Sequence, residues 1–200
     1  MRTLLFILCM TTSYAEEPPK GLLGRWRTIE IAQNGMGAMY EFRPGGIALV
    51  SPGAIAPGKF TLEKDHILLP PLSVGGPANR QHVDLSRPGK LILSKDKQVA
   101  MDLTRVGKEP PGKPTVIGEW TGVKSMQGQT LEMRIYFYPD QSLLFLLPFQ
   151  TQQVKYAISK NKMTITFPDG KVAQGPFAVS GNTISIPNIR AGVTSKLTRY

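Results

Sequence analysis

Few residues of this chain could do chemistry on their own. Cys9 is the only cysteine, and His66 and His82 are the only histidines. Asp65 and Asp84 lie close to the two histidines in sequence. No His-x-x-His or His-Glu spacing joins them, so the sequence assigns no metal site. The acidic residues stand singly on turns, which offers no carboxylate pair for hydrolysis. There is no Gly-x-Ser-x-Gly, Walker loop or dinucleotide fingerprint. With its one cysteine near the N-terminus, the rest of the chain has no disulfide, no thiolate zinc site and no cysteine nucleophile. The expectation is a protein that is not an enzyme and takes no cofactor.

The chemistry left is that of binding. Two groups of turn residues combine apolar tips with cations. Met36 and Ile55 go with Lys95 and Lys97, and Met126 and Phe149 go with Lys171 and Arg190. An apolar tip beside a cation suits an anionic amphiphile, whose tail is buried and whose head is paired. Ordinary loop composition folded back on a core gives the same pattern, because single exposed apolar residues are common. The overall balance is basic, 24 Lys and Arg against 14 Asp and Glu, a net charge of +10. That favours contact with anionic surfaces. For a chain outside the cytoplasm those are lipid headgroups, lipopolysaccharide or acidic polymers, not nucleic acid.

The export signal is read at residues 1–15. Arg2 supplies a positive start, Leu4 to Met10 an apolar core, and Ser13-Tyr14-Ala15 the small residues of a cleavage site. A periplasmic or secreted protein follows, and no later apolar run is long enough to span a bilayer. The missing cysteines and the lack of any Asn-x-Ser/Thr sequon lean towards a bacterial cell envelope.

The elements that must carry these residues are strands. From Leu22 on, short alternating apolar runs succeed one another, each bounded by Gly, Pro, Asn or Asp. Eight are read in residues 21–106, among them Leu22–Ile31, Ala38–Arg43, Ile47–Ser51, Lys59–Lys64 and Val99–Val106. Eight more are read in residues 115–200, from Val116–Ser125 to Thr194–Tyr200. Residues 107–114, with Pro110, Pro111 and Pro114, read as a semi-rigid linker. The two stretches repeat one another. Leu22-Leu23-Gly24-Arg25-Trp26 answers Val116-Ile117-Gly118-Glu119-Trp120, and Leu103-Thr104-Arg105 answers Leu197-Thr198-Arg199, with the same Trp-to-Arg separation. Phe42-x-Pro44 matches Phe137-x-Pro139, and Lys59-Phe60-Thr61-Leu62 matches Lys155-Tyr156-Ala157-Ile158.

The expected fold is therefore all-β: two small eight-stranded antiparallel up-and-down barrels in tandem, one per copy. Barrel closure removes the edges of so short a sheet. In such a barrel the first strand starts where the last one ends. Trp26 is then expected to meet Arg105, and Trp120 to meet Arg199, each pair sealing one end with a cation–π contact. Leu143 to Leu147 is apolar on both faces, so one face is expected to fill a barrel and the other to pack on the sister copy.

The Gly-x-Trp of the first strand with an Arg closing the last resembles the lipocalin superfamily. Tyr40-Glu41-Phe42-Arg43-Pro44-Gly45 resembles the middle block of small bacterial lipocalin-like domains, and Ile135-Tyr136-Phe137-Tyr138-Pro139-Asp140 does so less well. The resemblance implies a β-barrel that binds an apolar or amphiphilic small molecule. Each copy is about half the length of a typical lipocalin, and eight-stranded barrels of this size can be filled by their own side chains. Two functions stand open at this point: an exported binder of a lipid or fatty acid, and a packed structural or protein-interaction module of the envelope.

Overall fold

The computed structural model describes residues 17–70, 79–126, 128–188 and 192–200. The proposed signal, most of the Pro70–Asn79 loop, Gln127 and Arg190 lie outside the described residues. The described residues contain strands and no helix. In chain order these are β1 (Gly24–Thr28), β2 (Met36–Arg43), β3 (Ile47–Lys59), β4 (Thr61–Glu63), β5 (His66–Leu69), β6 (Asn79–Asp84), β7 (Lys90–Lys95) and β8 (Gln98–Arg105). Then follow β9 (Gly118–Met126), β10 (Gln129–Phe137), β11 (Ser142–Pro148), β12 (Gln152–Ser159), β13 (Lys162–Thr166), β14 (Val172–Pro176), β15 (Ala178–Ser180), β16 (Thr183–Pro187) and β17 (Thr194–Arg199). All their pairings are antiparallel and belong to one 17-stranded sheet.

Neither copy closes into a barrel of its own, which corrects the expected tandem. Among the described residues no ladder joins β1 to β8. Instead β1 pairs with β17 of the other copy, and β8 pairs with β9. The cause is β3. It was expected to stop at Ser51 because Pro52 and Gly53 follow, yet it runs on through Pro57 to Lys59. A proline removes one donor from a ladder without removing the strand, and the Pro52 carbonyl still accepts the Phe149 N–H at 3.0 Å. The first part of β3, Ile47–Val50, pairs with β12, and its second part, Gly53–Lys59, pairs with β11. Where β3 passes from one partner to the other, Gly53 is required: a Cβ there would strike the Leu147 carbonyl and Pro148.

Three hydrophobic clusters result, and the two largest each draw on both copies. The first takes Leu22, Trp26, Phe42, Ala48 and Val50 from the first copy. It takes Val154, Tyr156, Met163, Ile165, Ile184, Ile186 and Leu197 from the second. The second takes Phe60, Ile67, Leu91, Leu93 and Leu103 from the first copy and Trp120, Met133, Ile135, Phe137 and Leu143 from the second. This second cluster spans the 107–114 stretch, whose residues are exposed. Equivalent residues do equivalent jobs in the two clusters. Phe42 meets Tyr156 edge-on at 5.3 Å, and Phe60 meets Phe137 edge-on at 5.1 Å. Such T-shaped pairs are favoured by the ring quadrupole.

The Trp–Arg pairs are exchanged in the same way. Arg199 stacks on Trp26 at 4.4 Å, and Arg105 stacks on Trp120 at 4.2 Å, the reverse of the expected partnership. Both indoles are fully buried and spend their N–H locally, Trp26 Nε1 on the Leu22 carbonyl at 2.7 Å and Trp120 Nε1 on the Val116 carbonyl at 2.6 Å. Each guanidinium then donates to backbone carbonyls just before its tryptophan: Arg199 to Leu23 and Gly21, Arg105 to Ile117 and Thr115. The glycine of Gly-x-Trp lets it do so. Gly24 and Gly118 hold φ of +121° and +135°, and a Cβ on either would collide with the arginine Nη1.

The exchange makes a sharp expectation for a double-mutant cycle in urea unfolding. Trp26→Phe with Arg199→Met should show a coupling of about 0.5–2 kcal/mol. Trp26→Phe with Arg105→Met should be additive within about 0.5 kcal/mol. Coupling in the second cycle and none in the first would restore the self-closed copies.

Candidate functional site

Side chains alternate across a strand, so the residues flanking each buried tryptophan point away from its cluster. Arg25 on β1 and Glu119 on β9 occupy the same place in the repeated Gly-x-Trp motif. They meet across the line where the two halves of the sheet face one another, Arg25 Nη1 to Glu119 Oε1 at 2.8 Å. Arg134 Nη1 reaches the same carboxylate oxygen at 3.1 Å, and the Tyr136 hydroxyl donates to it at 3.0 Å. Arg25 also donates to the Tyr136 hydroxyl at 3.1 Å. One carboxylate thus serves two guanidiniums and a phenol.

Under this network lies a third apolar cluster, Met39, Ile55, Tyr136, Leu144 and Leu146, with Ile31, Tyr138 and Tyr200 packed against it. Leu144 and Leu146 turn into it, while Leu143 and Leu147 enter the second cluster. Both faces are buried, but the face of Leu143 and Leu147 enters a cluster shared by the two copies and not, as had been expected, a barrel of its own copy. Beside the network a groove of about 140 Å³ opens. Apolar Met39, Leu49, Leu146 and Pro148 line it together with Arg25, Arg134, Tyr200, Ser51 and Thr151. Ser51 and Thr151 are tied by a 2.8 Å hydroxyl–hydroxyl bond. The carboxylates at the rim are already paired, Glu41 with Arg43 at 2.8 Å and Glu132 with Arg134 at 3.1 Å. Arg25 uses only Nη1 in its bonds to Glu119 and Tyr136.

Burial acts on the phenols of this region. It pushes the Tyr200 hydroxyl up to about 12 and that of Tyr40 up to about 12. Tyr136 is raised too, first by burial and then by the adjacent Glu119 charge. All three stay protonated at neutral pH and can donate hydrogen bonds.

The sequence-predicted mouth residues fare differently. Ile55 is not at a mouth: it is 2% exposed in the third cluster, because β3 continues where a turn was expected. Met36 starts β2 opposite Ala54 and is half-buried. Lys95 ends β7, and Lys97 sits in the β7–β8 turn with φ of +64°. Met126 ends β9 and is exposed. Lys95, Lys97 and Met126, assigned to different copies, therefore lie at the same end of the β7–β10 stretch, away from the Trp120–Arg105 stack. Phe149 is exposed between β11 and β12. Lys171 follows the β13–β14 turn and pairs with Asp169 at 2.6 Å. The groove residues escaped the sequence reading, since Arg25 and Glu119 were seen only as the variable position of Gly-x-Trp. Their opposite charges at matched positions were the available signal.

No protein-family model, no curated protein and no solved structure matches this chain. Among the described residues no helix is long and apolar enough to cross a membrane. Among them, too, no three His, Cys, Asp or Glu side chains are placed to hold a metal ion together.

The raised phenols set an alkaline limit. In the unfolded chain a tyrosine loses its proton near about pH 10, whereas folded Tyr40 and Tyr200 keep theirs to about 12. The stability they contribute is fully present below about pH 10 and is lost as pH rises through about 12. Urea midpoints should fall steeply across that window, and Tyr200→Phe should flatten the fall. An identical slope in Tyr200→Phe would remove Tyr200 from the account.

Proposed function

We propose that the protein is a non-enzymatic, lipocalin-like binder of an anionic amphiphile in the cell envelope, and that it holds this ligand by its head in the groove beside Arg25. In this reading each of the two large clusters is a lipocalin-like unit assembled from parts of the two copies. The Trp–Arg stacks and the repeated Gly-x-Trp and Leu-Thr-Arg motifs support that reading of the family. The export pattern of residues 1–15 supports the location.

One observation carries the choice of site. The groove sets the guanidinium of Arg25, which bonds Glu119 and Tyr136 through Nη1 alone, beside apolar Met39, Leu49, Leu146 and Pro148, while Glu41 is paired with Arg43 and Glu132 with Arg134. A guanidinium bonds a carboxylate or phosphate through charge-assisted hydrogen bonds. The neutral hydroxyl of Tyr200 adds a donor. At about 140 Å³ the groove is well below the ~300–1,000 Å³ of pockets that swallow a whole ligand. It takes a headgroup, with the tail lying along Met39, Leu49 and Pro148.

A second reading is favoured by the clusters themselves. Trp26, Leu22, Met163, Ile186 and Leu197 are completely buried in the first, and Trp120, Ile67, Leu91, Leu93 and Leu103 in the second. Side chains fill the space where lipocalins carry ligands, as small eight-stranded barrels allow. A packed module that presents its surface to a protein partner has the same interior.

The test is titration of the mature chain with oleate and with a lysophospholipid, followed by intrinsic tryptophan fluorescence and calorimetry. Ser51→Trp fills the groove while leaving every residue of the charged network in place. It should weaken uptake at least about tenfold, ~1.4 kcal/mol. Uptake equal in Ser51→Trp and the parent would move the ligand elsewhere, and no uptake by either would favour the packed interaction module.

A further inference from the structure

The two histidines are brought together by the fold. His66 on β5 stands directly opposite His82 on β6, and Ser94 on β7 comes next in the same row. Inward-facing Ile67 and Gln81 are buried, so this row lies on the outer face of the sheet. His66 is partly exposed and His82 exposed. Their rings are 5.6 Å apart, centre to centre, at 86°. Cross-strand neighbours on one face are the closest side-chain pairs a sheet offers.

His66 is also oriented. Its Nδ1 lies 2.6 Å from Asp65 Oδ1. With the proton on Nδ1, Nε2 keeps its lone pair. A carboxylate on the far nitrogen is the arrangement that fixes the tautomer of a metal-binding histidine and raises its basicity. The charges around the pair suit a cation. Asp65 lies close enough to feel both imidazoles, and Asp84 close enough to feel that of His82. Glu63 stands opposite His66 in the same row but is held by Arg80 at 3.0 Å.

We propose that His66 and His82 form a surface site for a divalent imidazole-preferring cation, Zn²⁺ or Cu²⁺, completed by water. Imidazole is a good ligand for both ions. Metal–nitrogen bonds of 2.0–2.1 Å place two ligating nitrogens of a tetrahedral centre roughly 3.3 Å apart. Edge-on rings whose centres lie 5.6 Å apart reach that by rotation about χ2, which is soft in histidine. The site is confined to one half of the chain: by the repeat, Lys162 on β13 stands where His66 does, with Pro176 opposite. It owes nothing to the groove beside Arg25.

The experiment is titration of the mature chain with Zn²⁺ alone, read by calorimetry and by histidine ring NMR. With two histidines in the sequence, both ring signals are assignable by single substitution. The expected result is one-to-one uptake that shifts both rings together. His82→Gln and His66→Gln should each weaken it at least about tenfold. Asp65→Asn should weaken it by about 10-fold or more while leaving both histidines in place. A shift in one ring only, no shift of either at millimolar Zn²⁺, or equal uptake by the parent and His82→Gln would each overturn the site. Both substituted rings are on the outer face, so thermal unfolding of the variants should match the parent. If one variant unfolds early, the two-ring shift in the parent still decides.

Discussion

A guanidinium can lie flat on only one indole, and the choice of indole is the constraint on which this structure depends. Arg199 takes Trp26, and Arg105 takes Trp120. Each stack joins the first strand of one copy to the last strand of the other, so neither copy can close alone. The stack is worth about 0.5–2 kcal/mol, which is too little to impose such an exchange. Apolar burial contributes far more. Each cluster buries a full set of Leu, Ile, Val, Phe and Trp side chains at about 1.5–3 kcal/mol apiece, and each set is split between the copies. The stacks record the exchange; the clusters enforce it.

The exchange needs a strand that crosses. β3 supplies it by running 13 residues without a break, about twice the usual strand length. Its two parts serve two clusters, with Ala48 and Val50 in the first and Ile55 in the third. Gly53 marks the crossing, where the strand meets the Leu147–Pro148 backbone too closely for any side chain. From this follows the seam. Leu144 and Leu146, left on the outer face of β11, pack with Met39 and Ile55 of the first copy and with Tyr200. An apolar face of this kind would otherwise be open to water or to another chain.

Most strands were legible because each alternates and ends at a turn residue. β2, β8, β9 and β17 fall within two residues of their expected limits, Ala38–Arg43, Val99–Val106, Val116–Ser125 and Thr194–Tyr200. The repeat was legible from Gly24-x-Trp26 and Gly118-x-Trp120. The pairing of the copies was not. Equal copies offer each first strand two chemically equivalent last strands, Leu103-Thr104-Arg105 and Leu197-Thr198-Arg199, and local pattern cannot distinguish them. The hint lay in Ser51-Pro52-Gly53 to Ala56-Pro57-Gly58. It reads as a loop by composition and behaves as a strand because both its neighbours, β2 and β11, pair with it. Sites built across the exchange were invisible for the same reason. Arg25, Glu119 and Tyr200 are far apart in sequence, and only the crossed topology makes them neighbours. His66 and His82 were visible as residues but not as a pair, since nothing in the sequence sets the β5–β6 register.

Duplication gives this arrangement a freedom that two identical chains would lack. In a symmetric pair, a residue beside the axis meets its own copy, and a charge there meets its like. The variable position of Gly-x-Trp lies beside such an axis, because Arg25 and Glu119 touch at 2.8 Å. Two arginines or two glutamates at that distance would repel. Joined in one chain, the positions carry opposite charges, and Glu119 gathers Arg25, Arg134 and Tyr136 around one oxygen. The same divergence puts histidines in one half where the other has Lys162 and Pro176. With both interiors filled by side chains that differ little between halves, the differences that can carry specificity lie on the outer face, at the seam and along the β5–β6 row.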